Sequence, residues 1–337
     1  MRIHLIIFVL LFSFAFGACQ EAESKPVRIY LTEFYPVPAE FGNISKDVSA
    51  SFAGLIDVNL IVAGGCNFPD VPAADGGKKV FYKDILQFDG KKWEKPGELP
   101  RELAYGVSVT IPDGLLFVGG RNNDFFSSAV YRIIIDKTLR IDTLPALPVT
   151  FDNGAGAVLD NVLYVAGGNQ NGKPSSDVWR LELNDAKEWK RCKPIPSRPL
   201  IQPVVTACKG GLYVMGGYDN VSDSLKSEVS QVVWMYSVQN GTWTKASDFP
   251  ADNNHLSLSG GAAAVIKDGL TLTLGGVNKK VFEEALNRNA YLAGSSANQS
   301  DSLTLRMKKE AKEYLQHDIE WYKFNSTIRV FDTRNNS

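Results

Sequence analysis

Short apolar runs that end in two glycines recur along the chain. The first is Asn59–Gly65, which reads Asn-Leu-Ile-Val-Ala-Gly-Gly and is followed by polar residues. Each run predicts a buried strand that ends in a tight reversal where no side chain fits. The second glycine of each pair is Gly65, Gly120, Gly168, Gly217 or Gly276, so the spacings are 55, 48, 49 and 59 residues.

A period of about 50 residues with a strand and a glycine pair in each unit predicts an all-β fold, a kelch-type β-propeller. About five repeats are present, at residues 48–100, 104–148, 154–199, 202–250 and 260–337, with the last one incomplete. The turn at Asp89-Gly90 predicts a hairpin, and each repeat reads as four strands. Because such a sheet has two apolar faces, the blades must close into a ring. The segment 27–33 is the candidate ring-closing strand.

The fifth repeat is interrupted by an insertion at about 279–325. Leu303, Met307, Ala311 and Leu315 recur at helical spacing, which predicts a helix over 300–316. Either Ser300 or Asp301 is expected to cap it. The segments 318–322 and 327–331 are predicted to return to strand.

The N-terminus predicts export. A basic start, Met1–His4, precedes the apolar run Leu5–Phe16, which is too short to span a membrane, so residues 1–18 read as a signal peptide. Cys19 after two small residues resembles a bacterial lipoprotein site, although simple signal cleavage stays open. We therefore expect a periplasmic protein or an outer-membrane lipoprotein, with lipidation at Cys19 as its one membrane contact.

Composition gives no indication that the protein binds nucleic acid or a metal ion. A net charge of −1 and a pI near 6.3 give no electrostatic reason to expect nucleic acid. The remaining cysteines, Cys66, Cys192 and Cys208, are odd in number and show no zinc-ligand spacing. We expect no metal and no cofactor.

Residues 27–337 closely resemble the kelch-type sialic acid mutarotases (N-acetylneuraminate epimerases), in particular their cyclically permuted bacterial branch. The phrases that carry the resemblance are Ala63–Asp70, Trp93–Pro100, Gly275–Phe282 and Glu320–Phe324. The resemblance implies a six-bladed propeller in the cell envelope. It also implies a small-molecule partner, sialic acid or a related acidic sugar, whose anomers are interconverted by cofactor-free acid/base ring opening.

The family's last blade carries a Gly-Glu-x-Lys-Pro-Gly-x-Arg segment whose Glu and Arg are taken as the catalytic pair. This sequence has no match to it. Either the chain is a fragment of a longer protein or it has lost the mutarotase activity. In both cases the chain as given is expected to be inactive. We favour a fragment because the sequence stops inside the fifth repeat. The catalytic residues are therefore unknown, with His255 as a weak acid/base candidate.

The turns after the glycine pairs are expected to face one pocket, by quasi-symmetry with the family's catalytic Glu. The candidate substrate-binding residues are Asn67, Phe68, Tyr105, Arg121, Asn169, Tyr218 and Asn278. Arg121 is the preferred contact for a sugar carboxylate. Each polar position also has a purely structural explanation, because Asn and Asp favour turns. The insertion, flanked by Phe282 and Tyr322, is expected to cap the pocket.

Two other classes compete with a sugar isomerase. A copper radical oxidase shares the kelch architecture, but outside the signal only His255 and His317 remain, so a two-histidine copper site looks out of reach. An exported propeller that binds a glycan or a protein without catalysis remains the alternative, because fold does not fix function.

Overall fold

The computed structural model describes residues 40–41, 44–45, 48–208, 210–220, 226–248, 255–267, 269–294 and 301–335. The predicted signal peptide, Cys19 and the candidate ring-closing strand at 27–33 lie outside these residues.

Five antiparallel sheets follow one another along the chain, and within each the strands pair in sequence order. Four of them have four strands and the fifth has three. Blade 1 consists of Phe52–Ile56, Asn59–Ala63, Asp84–Phe88 and Trp93–Glu98. Blade 2 consists of Val107–Ile111, Gly114–Val118, Val130–Ile135 and Leu139–Leu144. Blade 3 consists of Ala155–Leu159, Val162–Ala166, Val178–Glu182 and Lys190–Arg191. Blade 4 consists of Ile201–Cys208, Gly211–Tyr218, Val232–Ser237 and Thr242–Asp248. Blade 5 consists of Ala262–Lys267, Leu270–Leu274 and Arg329–Asp332.

Shorter elements connect the blades. They are the strand pairs Glu40–Phe41 with Ile44–Ser45 and Cys66–Asn67 with Val80–Phe81, the ribbon of Phe151–Asp152, Asn169–Gln170 and Lys173–Pro174, and the 3₁₀ turn Ala73–Asp75.

The sheets pack face to face around an inner layer of first strands. The first strands of consecutive blades lie side by side, from blade 1 through to blade 5. The second strands of blades 2 and 3 are buried at every position. Apolar clusters fill the spaces between neighbouring blades: Phe52 and Ile61 of blade 1 pack with Leu115 and Ile133 of blade 2. This is the kelch-type propeller expected from the repeats.

The glycine pairs mark the points where one blade meets the chain that enters the next. Gly119 and Gly120 have φ values of +67° and +93°. A Cβ added to Gly119 would lie 2.0 Å from the carbonyl oxygen of Phe151. The N–H of Gly120 donates to that same oxygen at 2.8 Å. No side chain fits at Gly119, as the sequence pattern predicts.

One residue at the entrance to each first strand has a left-handed backbone. We call these five the entry residues: Ala50, Tyr105, Asn153, Gln202 and Gly260. From Tyr105 onward, the backbone N–H of each entry residue donates to the backbone carbonyl of the entry residue of the preceding blade. The four distances are 2.8, 2.7, 2.7 and 3.0 Å in chain order. The entry residues therefore form a continuous backbone arc that joins all five blades at one end of the propeller.

The insertion in blade 5 contains two helices, α1 (Lys279–Gly294) and α2 (Ser302–Tyr314). The predicted helix is confirmed as α2, and Asp301 is its cap. Helix α1 was not predicted, and only two of its residues are buried. Neither helix in the described part of the chain has the length and apolarity to cross a membrane.

The strand predicted at 318–322 is wrong. Ile319–Tyr322 forms a 3₁₀ turn, because the aromatic side chains pack back onto the end of α2. Trp321 and Tyr322 both lie edge-on to Tyr314. The strand predicted at 327–331 is present as Arg329–Asp332 and pairs with Leu270–Leu274.

Candidate functional site

A cavity of about 840 Å³ lies where blades 2, 3 and 4 present their glycine-pair ends, and we call it the inter-blade cavity. Helix α1 of the insertion borders it through its second half. The polar side chains in its wall are Arg121, Asp152, Asn153, Asn169, Tyr218, Asn220 and Asn289. Three of the seven residues predicted from sequence are thus brought together.

The position directly after each glycine pair explains this grouping. It is occupied by Cys66, Arg121, Asn169, Tyr218 and Val277. In blades 1 to 4 this residue pairs with the chain that enters its own blade, as Arg121 does with Ala104 and Asn169 with Asp152. The side chains of this position in blades 2, 3 and 4 line the inter-blade cavity.

The side chains at the second position after each glycine pair contact the surrounding loop instead of the cavity. This position is occupied by Asn67, Asn122, Gln170, Asp219 and Asn278. The amide oxygen of Asn67 accepts a hydrogen bond from the Tyr82 hydroxyl at 2.8 Å. Asn278 is buried, and its oxygen accepts from the backbone N–H of Val281 at the start of α1. The sequence prediction mixed the two positions, and neither Asn67 nor Asn278 lines the inter-blade cavity.

Arg121 is oriented for an anionic ligand. Its guanidinium lies 4.9 Å from the ring centre of Tyr105 and 5.7 Å from that of Phe126. Its Nε is 3.7 Å from Oδ1 of Asp152. Among the described residues no hydrogen bond engages its two terminal nitrogens. Arginine binds carboxylates through two parallel N–H groups. Arg121 can bind a carboxylate in this way, because the rings of Tyr105 and Phe126 and the contact of its Nε with Asp152 hold it in place while its terminal nitrogens are unengaged.

Asp152 is the buried centre of the cavity wall. Besides Arg121, its Oδ1 accepts from the side-chain amides of Asn153 at 2.6 Å and Asn169 at 2.9 Å. The oxygen of Asn153 in turn accepts from the amide of Gln202 at 3.0 Å. These donors stabilise the negative charge of a carboxylate that its burial would otherwise penalise.

Tyr218 closes the side of the cavity nearest the insertion. Its ring lies edge-on to Phe282 of α1, with centroids 5.1 Å apart. Burial raises the pKa of the Tyr218 phenol to about 12, and the charge of Asp152 adds to the shift. Tyr218 is therefore a hydrogen-bond donor at neutral pH.

Tyr105 and Phe68 lie beside the cavity rather than in its wall. The ammonium of Lys79 donates to the Tyr105 hydroxyl at 2.6 Å and is 5.4 Å from the ring centre of Phe68. Burial and the nearby thiol of Cys66 raise the pKa of Tyr105. Lys79 is thus a second cation beside Arg121, since both lie about 5 Å from the ring centre of Tyr105.

His255 lies elsewhere. It lines a separate cavity of about 740 Å³ together with Asn278, Lys280, Glu284 and Arg329. The structure does not bring this weak acid/base candidate to the inter-blade cavity.

Sequence reasoning missed Asp152 and Asn153. A signal was present: Asn153 occupies the same place before its first strand as Tyr105 does. Extending the choice of Tyr105 to the equivalent position of every repeat would have found Asn153, and Asp152 is the residue directly before it.

The fold has a solved counterpart. The structure of YjhT superposes with a TM-score of 0.58 at 15% sequence identity, over 69% of this chain and 78% of that one. Together with the repeated sheets, this similarity defines the protein as a kelch-type β-propeller.

The family is shown by sequence. A family model for N-acetylneuraminate epimerase matches residues 19–140 and 144–337, so the chain belongs to the N-acetylneuraminate epimerase family. The N-acetylneuraminate epimerase of Salmonella arizonae is 26% identical over 58% of this chain and 47% of its own length. That of Pasteurella multocida is 33% identical over 41% of this chain and 34% of its own length. The chain spans less than half the length of these curated relatives.

Proposed function

We propose that the inter-blade cavity binds N-acetylneuraminate or a related acidic sugar and that the protein interconverts its anomers. The observation that carries the proposal is Arg121, whose terminal nitrogens are unengaged among the described residues while Asp152 and Asn169 stand beside it. Family membership supports the choice of sugar. A volume of about 840 Å³ lies within the usual range for small-molecule sites.

The reaction opens a cyclic hemiketal and closes it again on the other face. One group must take the proton of the anomeric hydroxyl while another gives a proton to the ring oxygen. Arg121 would hold the sugar carboxylate, and the amides of Asn153 and Asn169 can orient hydroxyl groups. This chemistry uses side chains alone.

The N-terminal sequence supports export of this activity. The basic start and short apolar run before Cys19 are typical of a signal peptide. We place the protein outside the cytoplasm on this sequence argument.

Binding is tested with two ligands, one of which lacks the negative charge and carries a methyl group in its place. The affinity for N-acetylneuraminate and for its methyl ester is measured by saturation-transfer NMR and calorimetry. Arg121→Gln should weaken binding of the acid by roughly 10- to 100-fold, the usual worth of a charged hydrogen-bond pair. It should barely change binding of the ester. Arg140→Gln, at an exposed arginine of blade 2, is the matched control.

Two results would contradict the proposal. One is an equal loss for acid and ester, which would mean that Arg121 acts through the fold. The other is no binding of either ligand by the unmodified protein.

Turnover is measured as anomer exchange by proton NMR after the pure β-anomer is dissolved. The chain is run beside a version extended at the 3′ end of its gene, if coding sequence continues there. Exchange in either form supports an isomerase. Binding without exchange in both would instead support a propeller that binds a glycan without catalysis.

A further inference from the structure

Three side chains from blades 1 and 2 meet beside the inter-blade cavity, and we call Lys79, Tyr105 and Arg121 the donor cluster. The Lys79 ammonium is 5.1 Å and the Arg121 guanidinium carbon 4.9 Å from the ring centre of Tyr105. Because both distances are measured to the same point, the two cations lie within about 10 Å of each other. A single small ligand can therefore reach both.

Lys79 has a fixed position, which is unusual for a lysine. It directly precedes the strand Val80–Phe81, which pairs with Cys66–Asn67. Its ammonium donates to the Tyr105 hydroxyl at 2.6 Å and is 5.4 Å from the ring centre of Phe68. Among the described residues no carboxylate forms an ion pair with it. Lys79 thus brings an oriented positive charge that the surrounding protein does not balance.

The Tyr105 hydroxyl is left with only a proton to offer. Its oxygen accepts from Lys79 at 2.6 Å and from the thiol of Cys66 at 3.4 Å, and a hydroxyl oxygen has two lone pairs. Burial raises the pKa of the phenol, so the proton is present at neutral pH. No acceptor for it is found in the part of the chain that the structure describes. The left-handed backbone of Tyr105, with φ at +63°, is a strained conformation for a bulky residue and is most often found at functional sites.

The donor cluster therefore matches a group that only accepts hydrogen bonds. Lysine and arginine side chains have no acceptor atom, and the acceptor capacity of Tyr105 is filled. An ionised carboxylate is the complement, since it accepts at both oxygens and donates nothing. Asp152 partly balances the charge of Arg121, with 3.7 Å between its Oδ1 and the arginine Nε. The excess positive charge that remains favours an anion over a sugar hydroxyl.

We propose that the donor cluster is the subsite for the negative group of the ligand, and that Lys79 and Tyr105 share with Arg121 the selection of acidic over uncharged sugars. The inference rests on the proposed function and deepens it, because it assigns charge selectivity to two neighbouring blades instead of to one arginine. It concerns binding and is independent of the residues that transfer protons.

The test measures binding of N-acetylneuraminate and of its methyl ester to the full chain by calorimetry. Lys79→Gln should weaken binding of the acid by roughly 3- to 10-fold, a smaller loss than for Arg121→Gln, because part of the Lys79 side chain is exposed and water screens its charge. Binding of the ester should change by less than about twofold, since it has no charge for Lys79 to attract. Lys79→Arg should retain most of the affinity for the acid because it restores the positive charge.

The chain offers a matched control at the preceding position. Lys78 is exposed and carries the same charge, and in the described part of the chain its side chain makes no hydrogen bond or ring contact. Lys78→Gln should therefore change binding of either ligand by less than about 1.5-fold, because solvent and salt screen an exposed charge. Tyr105→Phe keeps the ring beside Arg121 and removes only the hydroxyl. It should weaken binding of the acid by roughly 3- to 10-fold, and binding of the ester less, because hydrogen bonds to charged groups are the stronger ones.

The outcomes separate this inference from the function on which it rests. If Lys79→Gln behaves like Lys78→Gln while Arg121→Gln weakens binding of the acid, the inference is overturned and the proposed function stands. Equal losses for acid and ester in Lys79→Gln also overturn it, because they would show that Lys79 acts through the fold. Absence of binding of either ligand to the unmodified protein overturns the proposed function itself. If Lys79→Gln does not fold, as judged by circular dichroism, Tyr105→Phe decides the matter by the same comparison of acid and ester.

Discussion

Replacing Gly119 with alanine should destabilise the protein far more than the same change at another left-handed glycine. At Gly119 the added Cβ would lie 2.0 Å from a backbone oxygen, that of Phe151. Gly241 has nearly the same φ, +63° against +67°, but its nearest neighbour would be 3.6 Å away at the Tyr236 hydroxyl. The pair therefore separates backbone strain from a clash between blades.

The magnitudes follow from the two environments. Left-handed backbone costs an alanine about 1–2 kcal/mol at either site. The clash at Gly119 adds about 1–3 kcal/mol of overpacking. Displacement of Phe151 also weakens the hydrogen bond from Gly120, worth about 1 kcal/mol. The effect of alanine on the unfolded chain is the same for both and cancels.

The assay is thermal and urea unfolding of Gly119→Ala and Gly241→Ala side by side. A difference of about 2–4 kcal/mol corresponds to roughly 3–6 °C in the unfolding midpoint for a chain of this size. Equal midpoints would refute the reasoning, because they would show that blades 2 and 3 can separate at Phe151 without loss.

Three further predictions concern other parts of the chain. Lys83 and Lys95 lower the pKa of Glu98 to about 2. The stabilisation of the fold by Glu98 should therefore be fully present above about pH 4.3, the pKa of Glu in the unfolded chain, and be lost as the pH falls towards 2. Glu98→Gln should weaken the dependence of the unfolding midpoint on pH between these two values. Asp301→Ala should lower hydrogen-exchange protection of α2 roughly fivefold, the usual worth of an N-cap, as measured by mass spectrometry. Cys19→Ala should release the protein from membranes in fractionated cells and abolish palmitate labelling.

The repeat architecture could be predicted because its signals are local. An apolar run followed by two glycines specifies both a buried strand and a left-handed reversal, and this pattern recurs in every blade. The α2 helix was equally accessible, since its cap and its apolar spacing lie within one short segment. Helix α1 was missed although Val281, Phe282, Ala285 and Leu286 also recur at helical spacing, because it starts in the turn after a glycine pair, where the other repeats have no helix.

The site was only partly predictable because a shift of one residue reverses what a side chain does. Arg121, Asn169 and Tyr218 directly follow their glycine pairs and face the cavity, whereas Asn67 and Asn278 come one place later and brace the loops. Polar residues occur at both positions, so the residue type alone does not separate them. Which side chain faces the cavity is set by the backbone pairing between each turn and the chain that enters its blade. That pairing joins residues at least 17 positions apart in the sequence.

The arc of entry residues has a consequence for how such a protein can change. Its bonds run from backbone amide to backbone carbonyl, so the arc does not require a particular side chain at any entry residue, although Asn153 and Gln202 also share a side-chain hydrogen bond. Ala50, Tyr105, Asn153, Gln202 and Gly260 already differ in size and polarity while the backbone stays alike. Each of the five blades therefore has one position at the same end of the propeller whose side chain can be exchanged. Backbone positions with positive φ tolerate Asn, Asp and Gly most readily, so a library confined to these residue types should leave the scaffold of the propeller intact.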